Sequence, residues 1–340
     1  MPAADLIALD VGGANLKAAD GLGWTYAEPF ALWREWRHLP DALARLLDAA
    51  PCRRVVATMT GEIADCYPSR AAGVAHIVAS LVAAAARRDT DVGIYLVDGR
   101  LVPPADALAA PLLAAASNWH ALARFAAPLA PAARSLLVDV GSTTTDIVPL
   151  VDGAPLPFAS DDAGRMRSGE LVYTGVERTP LATLVRALPH GDVIRPVASE
   201  RFADSRDAWL LVGGLPEDAA DHDTADGGPA TREAARIRLA RTMLVEPHDL
   251  PLPQAIAAAE RCATVQARRV ASALRRVAAA AGWSSCGIVL SGHGEALARR
   301  ALELVWPDAP LASLTAALGP RTSRVAPAHA LALIARGGVA

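Results

Sequence analysis

One pattern is written twice along this chain. Residues 6–10 read LIALD, an apolar run of strand length that breaks at Gly12 and Gly13 and resumes as LKAAD before Gly21 and Gly23. Residues 135–139 read SLLVD, the break comes at Gly141, and a returning strand starts near Asp146 and turns at Asp152 and Gly153. A short apolar run stopped by glycine is the signature of a buried strand entering a turn. Two copies of strand, acidic residue, glycine turn and returning strand, about 130 residues apart, indicate a duplicated domain and argue against a short-period solenoid. At 340 residues the chain is long enough for two ordinary cores. Pro128 and Pro131 mark the expected boundary. The reading is an N-terminal lobe over 1–130 and a C-terminal lobe over 131–324, with a C-terminal helix, 325–340, available to complete the first.

Between the copies, residues 40–50 and 70–88 read as helices, and 92–97 as a strand turning at Asp98 and Gly99. Residues 105–125 read as mainly helical. In the second half Thr231 is a plausible N-cap for a helix over 232–244, and 252–281 read as a long helix that Gly282 can cap. The acidic, apolar-poor stretch 216–229 reads as a loop, and a mobile one.

Composition narrows the partners. Lys+Arg 33 against Asp+Glu 36 gives no positive field of the size nucleic acid needs, so a small substrate is expected. The apolar fraction of 52% is largely alanine, and the greasiest stretch, 78–86, ends at Arg87 and Arg88, well short of the ~20 residues of a membrane span. No basic leader precedes the first apolar run, so a cytoplasmic protein is expected. Cys52, Cys66, Cys262 and Cys286 are scattered without a C-x-x-C pair, the pattern of reduced, mostly buried thiols.

Three segments carry chemistry. In DVGGANLK, residues 10–17, Gly12 and Gly13 let backbone N–H groups approach an anion, and Asn15 and Lys17 add polar and cationic contacts. It is not a Walker loop. In DVGSTTTDI, residues 139–147, Gly141 and the hydroxyls Ser142, Thr143 and Thr144 lie between Asp139 and Asp146. Hydroxyls and N–H groups hold phosphate oxygens, and carboxylates at strand ends, Asp10 and Asp139, hold Mg²⁺ through its water shell. In IVLSGHGEALA, residues 288–298, a strand enters Gly292, His293 and Gly294 before a helix, which places a backbone turn and a helix N-terminus against a ligand. A threonine-rich hairpin with Asp146 satisfied locally, and a histidine serving only as a turn residue, are the plainer alternatives. No proton transfer is assigned to His293.

Together LDVGGANLK, VDVGSTTTDI and VLSGHGEAL resemble, in order and spacing, the two phosphate motifs and the adenosine motif of the actin, Hsp70 and sugar-kinase superfamily. The resemblance implies an α/β protein of two ribonuclease-H-like lobes, the actin-like ATPase superfold, with an interlobe cleft. DVGSTTTDI is similar to the D-x-G-G-T-S-T-D loop of the hydantoinase A and oxoprolinase branch, with Ser142 in place of its second glycine. MTGE at 59–62, SNWHALA at 117–123 and SGELVYTGVERTP at 168–180 resemble a smaller branch linked to tetrahydromethanopterin-dependent one-carbon metabolism and methanofuran biosynthesis. Its activity condenses an aminomethylfuran diphosphate with a tyramine phenol to form an aryl ether.

On that resemblance the partners are a small furan diphosphate and a phenolic amine, with Mg²⁺ as cofactor and ATP not expected to be consumed. No nucleic acid or membrane is involved, and a homo-oligomer stays open. The loss of diphosphate calls for N–H donors, Lys17 and Mg²⁺. A phenol of pKa about 10 calls for a base: Glu62 first, Asp146 next, a cap or salt-bridge role for Glu62 being the alternative. Arg165, Arg167 and Arg178 are candidates for an acceptor carboxylate or the diphosphate. Trp119 reads as core before substrate wall, and Asp223 and Asp226 as solvated turn carboxylates before metal ligands. Two other functions stay open: an ATP-dependent small-molecule kinase or hydantoinase-like hydrolase, and a nucleotide-binding regulatory protein without turnover.

Overall fold

A computed structural model describes residues 4–338. The chain divides into two compact units. The first comprises the chain up to Arg134, Leu150–Gly164 and the chain from Ser313 onward; the second comprises Ser135–Pro149 and Arg165–Ala312.

In the first unit the strands β1 (Ala4–Val11), β2 (Asn15–Ala19), β3 (Thr25–Pro29), β4 (Cys52–Met59), β5 (Asp91–Tyr95) and β6 (Leu101–Val102) form one sheet in the order β3-β2-β1-β4-β5-β6. β1, β2 and β3 pair antiparallel, and β1, β4 and β5 pair parallel. Period-2 alternation sends Ile7, Leu9 and Val11 into a core with Leu43, Leu47, Ile77 and Leu81 of the helices Leu39–Ala49 and Arg70–Ala86. Leu6 and Ala8 face the other way, onto Ala121 of the helix Asn118–Ala126 and Leu331 and Ala332 of the helix Ala326–Ala335. Asp10, next in that alternation, lies on this second face.

The second unit repeats the scheme. Strands β7 (Arg134–Val140), β8 (Thr145–Val151), β9 (Ala154–Pro155), β10 (Leu171–Val172), β11 (Ala187–His190), β12 (Val193–Pro196), β13 (Gly287–Ser291) and β14 (Leu311–Ser313) follow in the chain, with β9 belonging to the first unit. The main sheet has the order β10-β8-β7-β13-β14, with β7 and β13 parallel and β8 and β10 antiparallel. Strand for strand this is the β3-β2-β1-β4-β5 order of the first unit, the ribonuclease-H-like arrangement. Leu136, Val138, Val140, Ile288 and Leu290 pack against Val270, Leu274 and Val277 of the long helix Leu252–Ala280. At ~1.5 Å per residue that helix reaches a second cluster, where Ala255, Ala258 and Cys262 meet Leu181, Leu188, Leu211 and Leu239.

The local signals hold where they rest on caps and turns. The Thr231 hydroxyl accepts from the Ala234 N–H, Gly282 follows the long helix at φ 72, and Asp152 and Gly153 turn β8 at φ 49 and 81. One expectation, a mainly helical 105–125, holds with breaks added, and one is corrected. Residues 105–125 are three pieces, Pro104–Ala109, Pro111–Ala114 and Asn118–Ala126, broken by Pro111 and by Ala116 at φ 46. The stretch 216–229 is tied down rather than loose: Asp218 pairs with Ala230, Asp221 meets Arg206, and Asp226 binds Arg238 and Arg241. Asp226, about a third exposed, is thus a turn carboxylate paired with two arginines and not one left to solvent alone. Cys52, Cys262 and Cys286 are buried, Cys66 is half-buried, and all four are thiols.

Candidate functional site

Each unit presents one glycine turn at the same end of its sheet. In the first, the Gly12 N–H donates to the Asn15 carbonyl at 3.0 Å, and a Cβ on Gly12 would stand 3.0 Å from that oxygen; the space beside Gly13 is open. Strand register sets Asp10 opposite Lys17 on β2 and opposite Thr58 on β4. Asp10 is 4% exposed. Burial pushes its pKa up, while the Lys17 charge and the nearby Asn118 side chain oppose the rise. Its Oδ1 has no hydrogen-bond partner. The Asn118 Oδ1 accepts from the Trp119 N–H at 2.7 Å, which leaves its amide N–H groups for a carboxylate. One residue earlier, the buried Ser117 hydroxyl meets that of Thr58 at 2.7 Å and donates to the Tyr95 carbonyl. Trp119 itself is core, 3% exposed.

Glu62 sits three residues beyond β4, at the same sheet end as Asp10. It is 1% exposed, and no well-formed hydrogen bond reaches either carboxyl oxygen, although two backbone N–H groups lie near. Burial pushes its pKa up to about 7; the Asp162 charge adds to the rise, and the backbone N–H groups of Glu62 and Ala116 and the Arg70 guanidinium work against it. Gly73 is the reason the helix can lie so close: a Cβ there would fall 2.2 Å from the Glu62 carbonyl oxygen. The same helix carries Arg70, which binds Asp162 at 2.7 Å. The cap or salt-bridge alternative for Glu62 is not what the geometry shows.

In the second unit the Gly141 N–H closes onto the Thr144 carbonyl at 2.9 Å, and the Ser142 and Thr143 hydroxyls lie side by side at 3.4 Å. Residues 174–178 brace this turn. The N–H groups of Glu177 and Arg178 both donate to the Ser142 carbonyl, and Val176 donates to Gly141. Gly175 permits the approach, since a Cβ would lie 2.4 Å from the Ser142 carbonyl carbon. Thr145 points inward and donates to Thr174. From β13, Gly292 at φ 83 and Gly294 press on Val140, each at a distance that a Cβ would close to 2.2 and 2.3 Å. His293 is held between them, with Nε2 3.5 Å from the Glu177 carboxylate. Register puts Asp139 beside Ser291.

The remaining candidates separate. Asp146 binds Arg165 at 2.8 Å, and Arg165, 1% exposed, also donates to the Glu170 carbonyl. That buried pair holds the helix Asp162–Ser168 against β8, so Arg165 is committed to the scaffold and not to a ligand carboxylate. Asp146 is held in the same pair. Arg167 is exposed. Arg178 stands at the hydroxyl turn, 3.9 Å from Asp223. Asn118, Glu177 and Arg206 were not singled out by the sequence, although the first two stand inside SNWHALA and VYTGVERTP. Among the described residues no three His, Cys, Asp or Glu side chains gather as a metal site. Asp10, with one buried oxygen that no donor satisfies, fits a hydrated cation.

A family model for hydantoinase/oxoprolinase matches residues 53–303. The chain belongs to the hydantoinase/oxoprolinase family. This family member is 32% identical, over 71% of its own length and 72% of the other's, to (4-{4-[2-(gamma-L-glutamylamino)ethyl]phenoxymethyl}furan-2-yl)methanamine synthase of Methanocaldococcus jannaschii. It is 32% identical to the synthase of the same name from Methanococcus vannielii over 49% of this chain and 74% of that one. Among solved structures, a ROK hexokinase from Thermus thermophilus covers 98% of this family member and 99% of its own chain at 16% identity and a TM-score of 0.43. A likeness at that score carries no weight, and the fold assignment stands on the strand order described above.

Proposed function

We propose that this chain is a transferase of methanofuran biosynthesis, joining an aminomethylfuran-methyl diphosphate to the phenol of a glutamyltyramine, tyramine or tyrosine-like acceptor with release of diphosphate. The names of the two relatives support the substrate class, and Glu62 is the structural observation that carries the chemistry. A carboxyl poised at about 7 is matched to taking a proton from a phenol at neutral pH, where a carboxylate in water is too weak a base.

In the reaction the phenol O–H proton passes to a Glu62 oxygen while the phenol oxygen bonds to the furanylmethyl carbon. The carbon–oxygen bond to diphosphate breaks, and its electron pair leaves with the diphosphate. The electron-rich furan supports the positive charge at carbon. Lys17 on β2 is the cation for the leaving group in the first unit, and the N–H groups and hydroxyls at 141–144 are phosphate donors of the second. Asp10, and Asp139 in the second unit, would hold Mg²⁺ through water, which when bound offsets the charge of the departing diphosphate. No helix among the described residues is long and apolar enough to cross a membrane.

Incubation with the furan diphosphate and the phenolic amine, with and without ATP, tests the reading. Mass spectrometry should find the aryl ether in both, with diphosphate in equal amount. Strict dependence on ATP, with ADP formed in proportion to product, would favour a kinase.

A further inference from the structure

The sequence gives His293 the plain role of a turn residue, and the structure gives it more. Its backbone is clamped. Gly292 and Gly294 both lie where any side chain would collide with Val140, and the Gly294 N–H donates to the Val140 carbonyl at 3.0 Å. Val140 immediately precedes the turn 141–144, so the clamp fixes the imidazole relative to the phosphate-type hydroxyls. The ring is not buried as a core histidine would be; its side chain is 36% exposed. The ring faces an ordered acid. Nε2 lies 3.5 Å from Glu177 Oε2, and the same oxygen is 3.1 Å from the Arg206 guanidinium. Arg206 is only 8% exposed and is anchored from behind by Asp221. The Glu177 backbone is fixed as well, through its N–H bond to Ser142. A base oriented by a carboxylate that is itself oriented by a third group is the arrangement of proton-transfer sites on unrelated folds.

We propose that His293 is a catalytic residue that donates a proton to the departing diphosphate, with Glu177 as its positioning residue under Arg206. The proposal rests on the diphosphate-displacement reading above. With Nε2 on the Glu177 side, 3.5 Å from its carboxylate, Nδ1 is the ring atom left to carry the transferable proton. As the furanylmethyl carbon–oxygen bond breaks, its electron pair stays on the bridging oxygen, and that oxygen takes the Nδ1 proton. The imidazole is left neutral and regains its proton from solvent. The charged groups near it include Glu177, Arg206 and Asp221, Asp139 against the neighbouring Gly292, and Arg178 and Asp223 on the flank of the same turn.

The test compares the wild type with His293→Ala, His293→Gln and Glu177→Gln for diphosphate release. His293→Ala should lower kcat about a hundredfold, the low end of acid catalysis, with KM nearly unchanged. Added imidazole should restore much of the loss in His293→Ala and none in His293→Gln, whose side chain fills the space. Glu177→Gln should lower kcat about tenfold without changing the affinity for inorganic diphosphate. A His293→Ala kcat within twofold of wild type, or a loss that imidazole leaves untouched, overturns the proposal. If the wild type itself releases no diphosphate, the reaction assigned above fails, and calorimetry with inorganic diphosphate decides the histidine separately. Weaker binding by His293→Gln keeps the contact, and equal binding removes it.

Discussion

Replacing Glu62 by glutamine should make the protein more stable at alkaline pH while disabling it. In the folded protein the carboxyl titrates at about 7 against an ordinary value of 4.5, because ionising it strands a charge at a site 1% exposed to water. A raised carboxyl pKa means that the folded state prefers the protonated form. The associated stability is fully present below pH 4.5, is lost as pH rises through 7, and is absent above it. The gap of roughly 2.5 units corresponds to about 3 kcal/mol between pH 4.5 and pH 8, and glutamine, which never ionises, escapes that loss. Urea unfolding of wild type and Glu62→Gln at both pH values reads the difference directly: the glutamine variant should gain about 3 kcal/mol relative to wild type on going from pH 4.5 to pH 8. Turnover should fall by about 10²–10⁴ and recover in part at high pH, where phenolate is already present. Parallel pH–stability curves for the two proteins would show that Glu62 does not titrate near neutrality, and the base assignment would fall with it.

Lys17→Ala should lower turnover about ten- to a hundredfold, since a charge-assisted contact is worth about 1.5–3 kcal/mol, with steady-state kinetics showing the loss in kcat more than in KM. Asp10→Asn and Asp139→Asn should each weaken the Mg²⁺-dependent part of diphosphate binding by calorimetry; unchanged affinity in both would remove the proposed cation sites. Asp146→Asn should destabilise by about 3–5 kcal/mol, because it leaves the Arg165 charge buried without its carboxylate, and a variant as stable as wild type in urea would contradict the scaffold role. Gly73→Ala should cost both stability and activity, as its methyl would press on the Glu62 backbone; circular dichroism melting and turnover should fall together.

Much of the fold was legible because its signals are local. Both hairpins follow from apolar runs stopped by glycine, and Thr231 and Gly282 mark helix ends by cap chemistry that needs no distant partner. The failures share a cause. The break at Ala116 falls in an alanine-rich stretch whose residues carry no turn signal, although the backbone there enters the left-handed region. The acidic stretch 216–229 looked loose because the arginines that hold it, Arg206, Arg238 and Arg241, lie up to fifteen residues away on other elements. Arg165 looked available to a ligand because its carboxylate partner is remote in sequence; only the approach of Asp146 explains its burial. The functional glycines Gly73 and Gly175 were invisible as such, since what each admits is the backbone of a segment remote in sequence.

The distribution of buried charge separates scaffold from chemistry. In the second unit three of the buried or half-buried acids have cations, Asp146 with Arg165, Asp207 with Arg238 and Glu177 with Arg206, and buried Glu170 accepts from the Ser168 hydroxyl. In the first unit Asp10 has an oxygen that no well-formed hydrogen bond reaches, and Glu62 has two. Leaving a buried carboxyl unsatisfied costs stability, and a hydrophobic residue of similar size at 62 would relieve that cost. A fold that needed only to hold together would gain from the substitution. The uncompensated acid is useful where a proton must be accepted near neutral pH, and its neighbour Asp10 is useful where a hydrated cation must be met. Among the described residues, Asp10 and Glu62 are the two acids of the first unit that are buried and keep an unsatisfied oxygen, and they are the two that the proposed displacement calls on there.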